Sequence, residues 1–201
     1  MTGVFTGGSA RVRRVSWRRS VNLLALGVFV AQVAFSMAAP LLPVYLAELG
    51  LERNLALWSG AIFSISFVTF GIMSPVWGSI SDRYGKRPMI LRAGLGMGLT
   101  YALMAVARDH VQLFLLRAIN GALSGYIPAA ITLATTLAPE PSLGWALGMI
   151  QSANAVGLIT GPLIGGLVAG AVGIKASFVF AAVLLVLAAL VPLFGVSESP
   201  A

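Results

Sequence analysis

The chain has 201 residues, of which 58% are hydrophobic and only 9% charged, with a net charge of +7 and a mean hydropathy of +0.94. A soluble domain carries about 25% charged residues, so this composition excludes a soluble globular protein and predicts an integral membrane protein. The lack of cysteine and the single histidine, His110, exclude disulfides, thiol nucleophiles and a multi-histidine metal site within the chain.

Residues 1–20 form a basic segment with Arg11, Arg13, Arg14, Arg18 and Arg19, expected in the cytoplasm. Six apolar runs follow, at roughly 21–45, 57–77, 89–107, 111–134, 144–168 and 177–196, joined by short polar links and followed by a tail at 197–201. The first run is too long for the core of a signal peptide and reads as an uncleaved first span. Each run is long enough to cross a bilayer as a helix. None shows the strict alternation of a barrel strand, and an isolated strand could not satisfy its backbone in lipid. The predicted fold is therefore an all-α polytopic bundle of six transmembrane helices over 21–196. With the N-terminus in the cytoplasm, nine cations (the five arginines above, Arg83, Lys86, Arg87 and Arg92) lie inside and three (Arg53, Arg108 and Lys175) outside. That is the positive-inside bias, not a groove for nucleic acid, and it places both termini in the cytoplasm. All four tryptophans fall near predicted span ends, as an interfacial belt requires. No nucleophile–base pair is evident within the spans, so neither an enzyme nor a cofactor is expected.

A faint internal echo accompanies this pattern. Pro75-Val-Trp-Gly78 with Gly85 late in the first half corresponds to Pro162-Leu-Ile-Gly165-Gly166 with Gly173 in the second, and Arg87 corresponds to Lys175. Three spans repeated in inverted topology is a transporter plan.

Three constellations carry mechanism. The turn after span 2 reads Gly78-x-x-x-Asp82-Arg83-x-Gly85-Lys86-Arg87-Pro88. An acid at a helix C-terminus needs a cation or N–H beside it, and Arg83, Lys86 and Arg87 are in reach. Arg117 stands within span 4, where burial costs roughly 2.5–3.5 kcal/mol, so it should face a cavity or a partner, the alternative being that it snorkels toward the outer surface. Asn120, Gly121 and Ser124 follow on its face. On span 5, Gly157, Gly161 and Gly165 recur every four residues as a flat stripe for close helix contact, and Pro162 permits a bend. Gly148 and Gly166 complete this pattern. Gln32, Ser36, Asn120, Ser124, Gln151 and Asn154 are polar groups within apolar spans, candidates either for a substrate cavity or for hydrogen bonds between helices. Phe35 and Tyr126 could add aromatic surface.

These motifs, in this order on these spans, resemble those of the major facilitator superfamily, and among its members the proton-coupled drug antiporters of bacterial cytoplasmic membranes. The resemblance implies that Gly78, Asp82, Arg83, Gly85, Lys86 and Arg87 latch an inner gate, Asp82 pairing with Arg83 and with a helix end of the other half. It implies that Arg117 tunes proton coupling, and that Gly148, Gly157, Gly161, Pro162, Gly165 and Gly166 form the antiporter motif. The superfamily has twelve spans in two halves. This chain corresponds to the N-terminal half, complemented by a missing C-terminal six-helix half or by a second copy. The implied activity is multidrug efflux of amphipathic small molecules against protons by alternating access. Transport of a metabolite or sugar, and a truncated protein that does not transport, are the alternatives. No carboxylate lies within the spans, so a proton carrier is expected in the other half.

Overall fold

The computed structural model describes residues 17–193. Most of the predicted basic segment, the end of the sixth predicted span and the predicted tail lie outside the described residues.

Six helical runs follow the six apolar stretches. The first comprises α1 (Trp17–Met37) and α2 (Leu41–Glu48), the second α3 (Leu55–Tyr84), and the third α4 (Lys86–Met104). The fourth comprises α5 (His110–Leu123) and α6 (Tyr126–Leu137). A 3₁₀ turn, Glu140–Ser142, leads into α7 (Leu143–Val172), and α8 (Ile174–Leu190) ends in a second such turn, Val191–Leu193. No strand occurs among the described residues. Trp17–Met37, Leu55–Tyr84, His110–Leu137 and Glu140–Val172 are each long and apolar enough to cross a membrane. The 17 residues of α8 are apolar but shorter, reaching about 26 Å. The apolar run of α4 carries Lys86, Arg87 and Arg92.

Three local features depart from the sequence reading. Span 1 is broken at residues 38–40, because Pro40 offers no N–H and the chain tightens to the bonds Ala39 N–H to Ser36 O (3.3 Å) and Leu41 N–H to Ala38 O (3.2 Å). Span 4 is broken at Ser124 and Gly125, the latter at φ 129°. Span 2 does not stop at Trp77 but runs to Tyr84, so the predicted charged turn is helical on both sides of one residue, Gly85. Trp77 consequently lies within the helix. Its indole N–H donates to Ala122 O at 2.6 Å, so it ties spans 2 and 4 together.

The inverted repeat is visible in the backbone. Both 30-residue helices, α3 and α7, end at a glycine of almost the same conformation, Gly85 at φ 91°, ψ 160° and Gly173 at φ 91°, ψ 163°. In each case the next helix starts at the following residue. Each triplet also opens with a broken helix. The packing obeys the same exchange: α1 lies along α7 while α5 lies along α3, and α4 lies along α8. Exchanging spans 1 with 4, 2 with 5 and 3 with 6 maps these pairs onto one another.

Lipid tails give helices no hydrophobic reason to associate, so close packing and hydrogen bonds between spans must hold the bundle. Tyrosines supply several of these bonds. Tyr45 donates to Met104 O (2.7 Å), Tyr101 to Phe35 O (3.2 Å) and Tyr126 to Ala188 O (2.7 Å). The rings of Tyr45 and Tyr101 pack on Phe178, with centroids 5.1 and 6.1 Å away. Burial is uneven. Residues buried inside the bundle make up 67% of the apolar window of α1, but only 11% of that of α3 and 17% of that entering α7. α1 is thus the centre of the bundle, and α3 and α7 present long apolar faces.

Candidate functional site

The latch residues sit at one end of the bundle. Asp82 occupies the last turn of α3 with its side chain exposed, and its carboxylate lies 3.9 Å from Lys86 Nζ across the Gly85 joint. The pairing of Asp82 with Arg83 that the resemblance implied is not formed, since neighbouring residues on a helix point apart, and the fold-back at Gly85 brings Lys86 beside Asp82 instead. Arg83 is exposed. Arg87 turns the other way and donates from Nη2 to Pro192 O at 2.8 Å, which ties the start of α4 to the end of the sixth run. Gly78 has open space where a side chain would stand.

Arg117 is 1% exposed and does not reach toward a surface. Nη1 donates to the Tyr101 hydroxyl (3.3 Å), which itself donates to Phe35 O, so the guanidinium, the phenol and a carbonyl of α1 form one chain. One turn on, Gly121 faces the backbone of Ser66 on α3, where a methyl group would collide with the Ser66 carbonyl. The Ser66 hydroxyl donates to Arg117 O at 3.0 Å.

Beside this contact lies a cavity of about 290 Å³ lined by spans 1 to 5. Its wall is mainly apolar and aromatic: Phe35 from α1, Phe67 and Phe70 from α3, and Tyr126 from α6. Phe35 and Phe67 meet edge to face at 6.2 Å. Four of the polar residues singled out in the sequence, Gln32, Asn120, Ser124 and Asn154, line it. Asn120 is fully buried and its amide is oriented by a relay: Nδ2 donates to Thr100 Oγ1 (2.7 Å), which donates to Met97 O (2.8 Å). That leaves Asn120 Oδ1 without a hydrogen-bond donor among the described residues, and the same holds for Asn154 Oδ1.

Ser36 and Gln151 are not part of this wall. Ser36 is buried between helices, where its hydroxyl donates to Gly157 O at 3.1 Å. Gln151 is exposed.

The glycine motif divides in two. A methyl group at Gly157 would come within 2.8 Å of Phe29 O, at Gly161 within 2.7 Å of Val33 O and against the Ser36 hydroxyl, and at Gly165 within 2.8 Å of Met37. These three form the predicted stripe, and α1 is the helix that it holds close. Gly148 and Gly166 meet nothing within 4 Å.

In the sequence Arg92 counts only as one of the nine inner cations. Its guanidinium stacks on Trp77, 3.5 Å from the ring centroid, and donates from Nη2 to Ser124 O at 3.3 Å, at the break in span 4. A cation 15 residues after a tryptophan gives no periodic signal, because the two meet only after α3 and α4 fold back at Gly85.

The Major Facilitator Superfamily model matches residues 24–201. The chain belongs to the major facilitator superfamily. It is 40% identical over 186 residues to Multidrug resistance protein MdtG of Escherichia coli O1:K1 and, equally, to that of Escherichia coli K12, over 92% of this chain and 46% of each relative. The chain thus spans about half the length of the curated relatives that it matches. Among solved structures it superposes on the human organic anion transporter MFSD10 with a TM-score of 0.78 at 21% identity, covering 91% of this chain and 48% of that one. At that identity the likeness shows the fold alone. The bundle is accordingly the six-helix half of a facilitator fold, in a family of membrane transporters.

Proposed function

We propose that this chain supplies the N-terminal half of a proton-driven exporter of amphipathic compounds in the bacterial cytoplasmic membrane, with both termini cytoplasmic. The observation that carries the reading is the central cavity, an aromatic chamber with a few polar groups lined from five spans. Such walls accept varied apolar bodies and fix them through few polar contacts. The 40% identity to a multidrug resistance protein supports the same reading. In this mechanism Gln32, Asn120, Ser124 and Asn154 contact the compound, and the Asp82–Lys86 end acts as the inner latch. The Arg117–Tyr101 chain couples a proton step to the cavity. An inward proton contributes about 2.3 kcal/mol per 100 mV of membrane potential. The exposed faces of α3 and α7 are then covered by a second six-helix half, or by a second copy of this chain.

The test is co-reconstitution of the chain with the C-terminal half of a matching relative in liposomes, with ethidium and an imposed pH gradient. Gradient-driven dye movement that an uncoupler abolishes is the expected result. Movement indifferent to the gradient would favour a facilitator of metabolites or sugars. No movement at all would refute the export reading, and movement by the chain alone would show that a second copy serves as the other half.

A further inference from the structure

We propose that Arg92 marks an oxyanion subsite beside the central cavity, which takes the carboxylate of a ligand whose apolar body occupies that cavity. The inference rests on the reading of the central cavity as the compound-binding chamber and adds a charge preference to it.

Arg92 carries a charge that no acid among the described residues balances. Guanidinium stays protonated at any accessible pH. The one ion pair among the described residues joins Lys86 to Asp82. Glu48, Glu52, Asp109 and Glu140 lie at the ends or links of the spans. Nε and Nη1 of Arg92 are shielded from solvent and make no hydrogen bond among the described residues. The Trp77 ring attracts the cation through its face, but it cannot accept bonds from donors in the guanidinium plane. A half-buried cation held by one 3.3 Å bond to a carbonyl is short of an anion.

Space for that anion adjoins it. A second cavity of about 100 Å³ is lined by Arg92, Trp77 and the hydroxyl-bearing Ser74, Ser81 and Thr132. A water molecule's share of the liquid is about 30 Å³, so a carboxylate fits. The two cavities share Phe70, Ser124, Gly125 and Pro128 as their common wall. An elongated ligand can therefore place rings among Phe35, Phe67 and Tyr126 and extend its acid past Ser124 toward Arg92. The guanidinium leaves the Trp77 face and the Ser124 carbonyl to meet it.

The experiment compares pyrenebutyrate with its neutral analogue pyrenebutanol, binding to the full chain in nanodiscs, read by energy transfer from tryptophan to pyrene and corrected against empty nanodiscs. The anion is expected to bind at least ~10-fold more tightly. Arg92→Gln should abolish that preference while leaving pyrenebutanol binding unchanged, Arg92→Lys should keep part of it, and Lys175→Gln should have no effect. Equal affinities in the unmodified chain, or an anion preference that survives in Arg92→Gln, would overturn the subsite. If Arg92→Gln does not fold, the comparison in the unmodified chain and in Arg92→Lys still decides it. Failure of both probes to bind would instead sink the reading of the central cavity, which separates the two outcomes.

Discussion

Replacing Gly161 with alanine is expected to destabilise the bundle, while the same change at Gly166, five residues along the same helix, does not. The added methyl at position 161 meets Val33 O at 2.7 Å and Met37 N at 3.1 Å, both main-chain atoms that cannot rotate away. It also meets the Ser36 hydroxyl, which is already engaged with Gly157 O. Restoring ordinary contact at about 3.4 Å requires α1 and α7 to separate by roughly 0.7 Å along their longest interface, and overpacking of this kind costs about 1–3 kcal/mol. At Gly166 the methyl meets nothing within 4 Å, so the helix propensity of alanine dominates and stabilises by about 0.5–1 kcal/mol. Equilibrium unfolding of the purified chain in mixed micelles measures both. The reasoning fails if Gly161→Ala is as stable as the parent, or if the two substitutions shift stability in the same direction by the same amount.

Asp82→Asn removes an exposed carboxylate from a 3.9 Å pair, so unfolding should shift by less than about 1 kcal/mol, whereas gradient-driven dye movement by the chain together with its complementary half should be lost; retained movement counts against the latch. Tyr126→Phe deletes the 2.7 Å bond to Ala188 O and should cost about 0.5–1.5 kcal/mol, with the ring still in place to bind pyrenebutanol as before. Asp82→Cys should react with a membrane-impermeant maleimide only from the cytoplasmic side, and labelling from the opposite side alone would invert the proposed topology.

Much of this architecture is readable from residues because lipid imposes length and apolarity on each span. The glycine stripe was equally legible: a period of four with no side chains has few other uses than helix contact, although which helix it meets required the fold. The cavity wall was legible only in part. Gln32 and Ser36 stand one turn apart on α1, and α7 lies along both, yet the first also reaches the cavity while the second bonds the α7 backbone. Lys86 was among the three cations in reach of Asp82, but its selection over Arg83 and Arg87 depends on the fold-back at Gly85. The Arg92–Trp77 stack left no trace in the pattern. It depends on two helices folding back on each other and on carbonyls freed by the break at Gly125.

The single-glycine joints at Gly85 and Gly173 leave no slack between consecutive spans. A tilt of either 30-residue rod is delivered to its neighbour like the throw of a crank, with no flexible connector to absorb it. Lengthening either joint by a few residues should therefore decouple the stroke at the bundle's end from the chamber at its middle, even with each wall residue in its place.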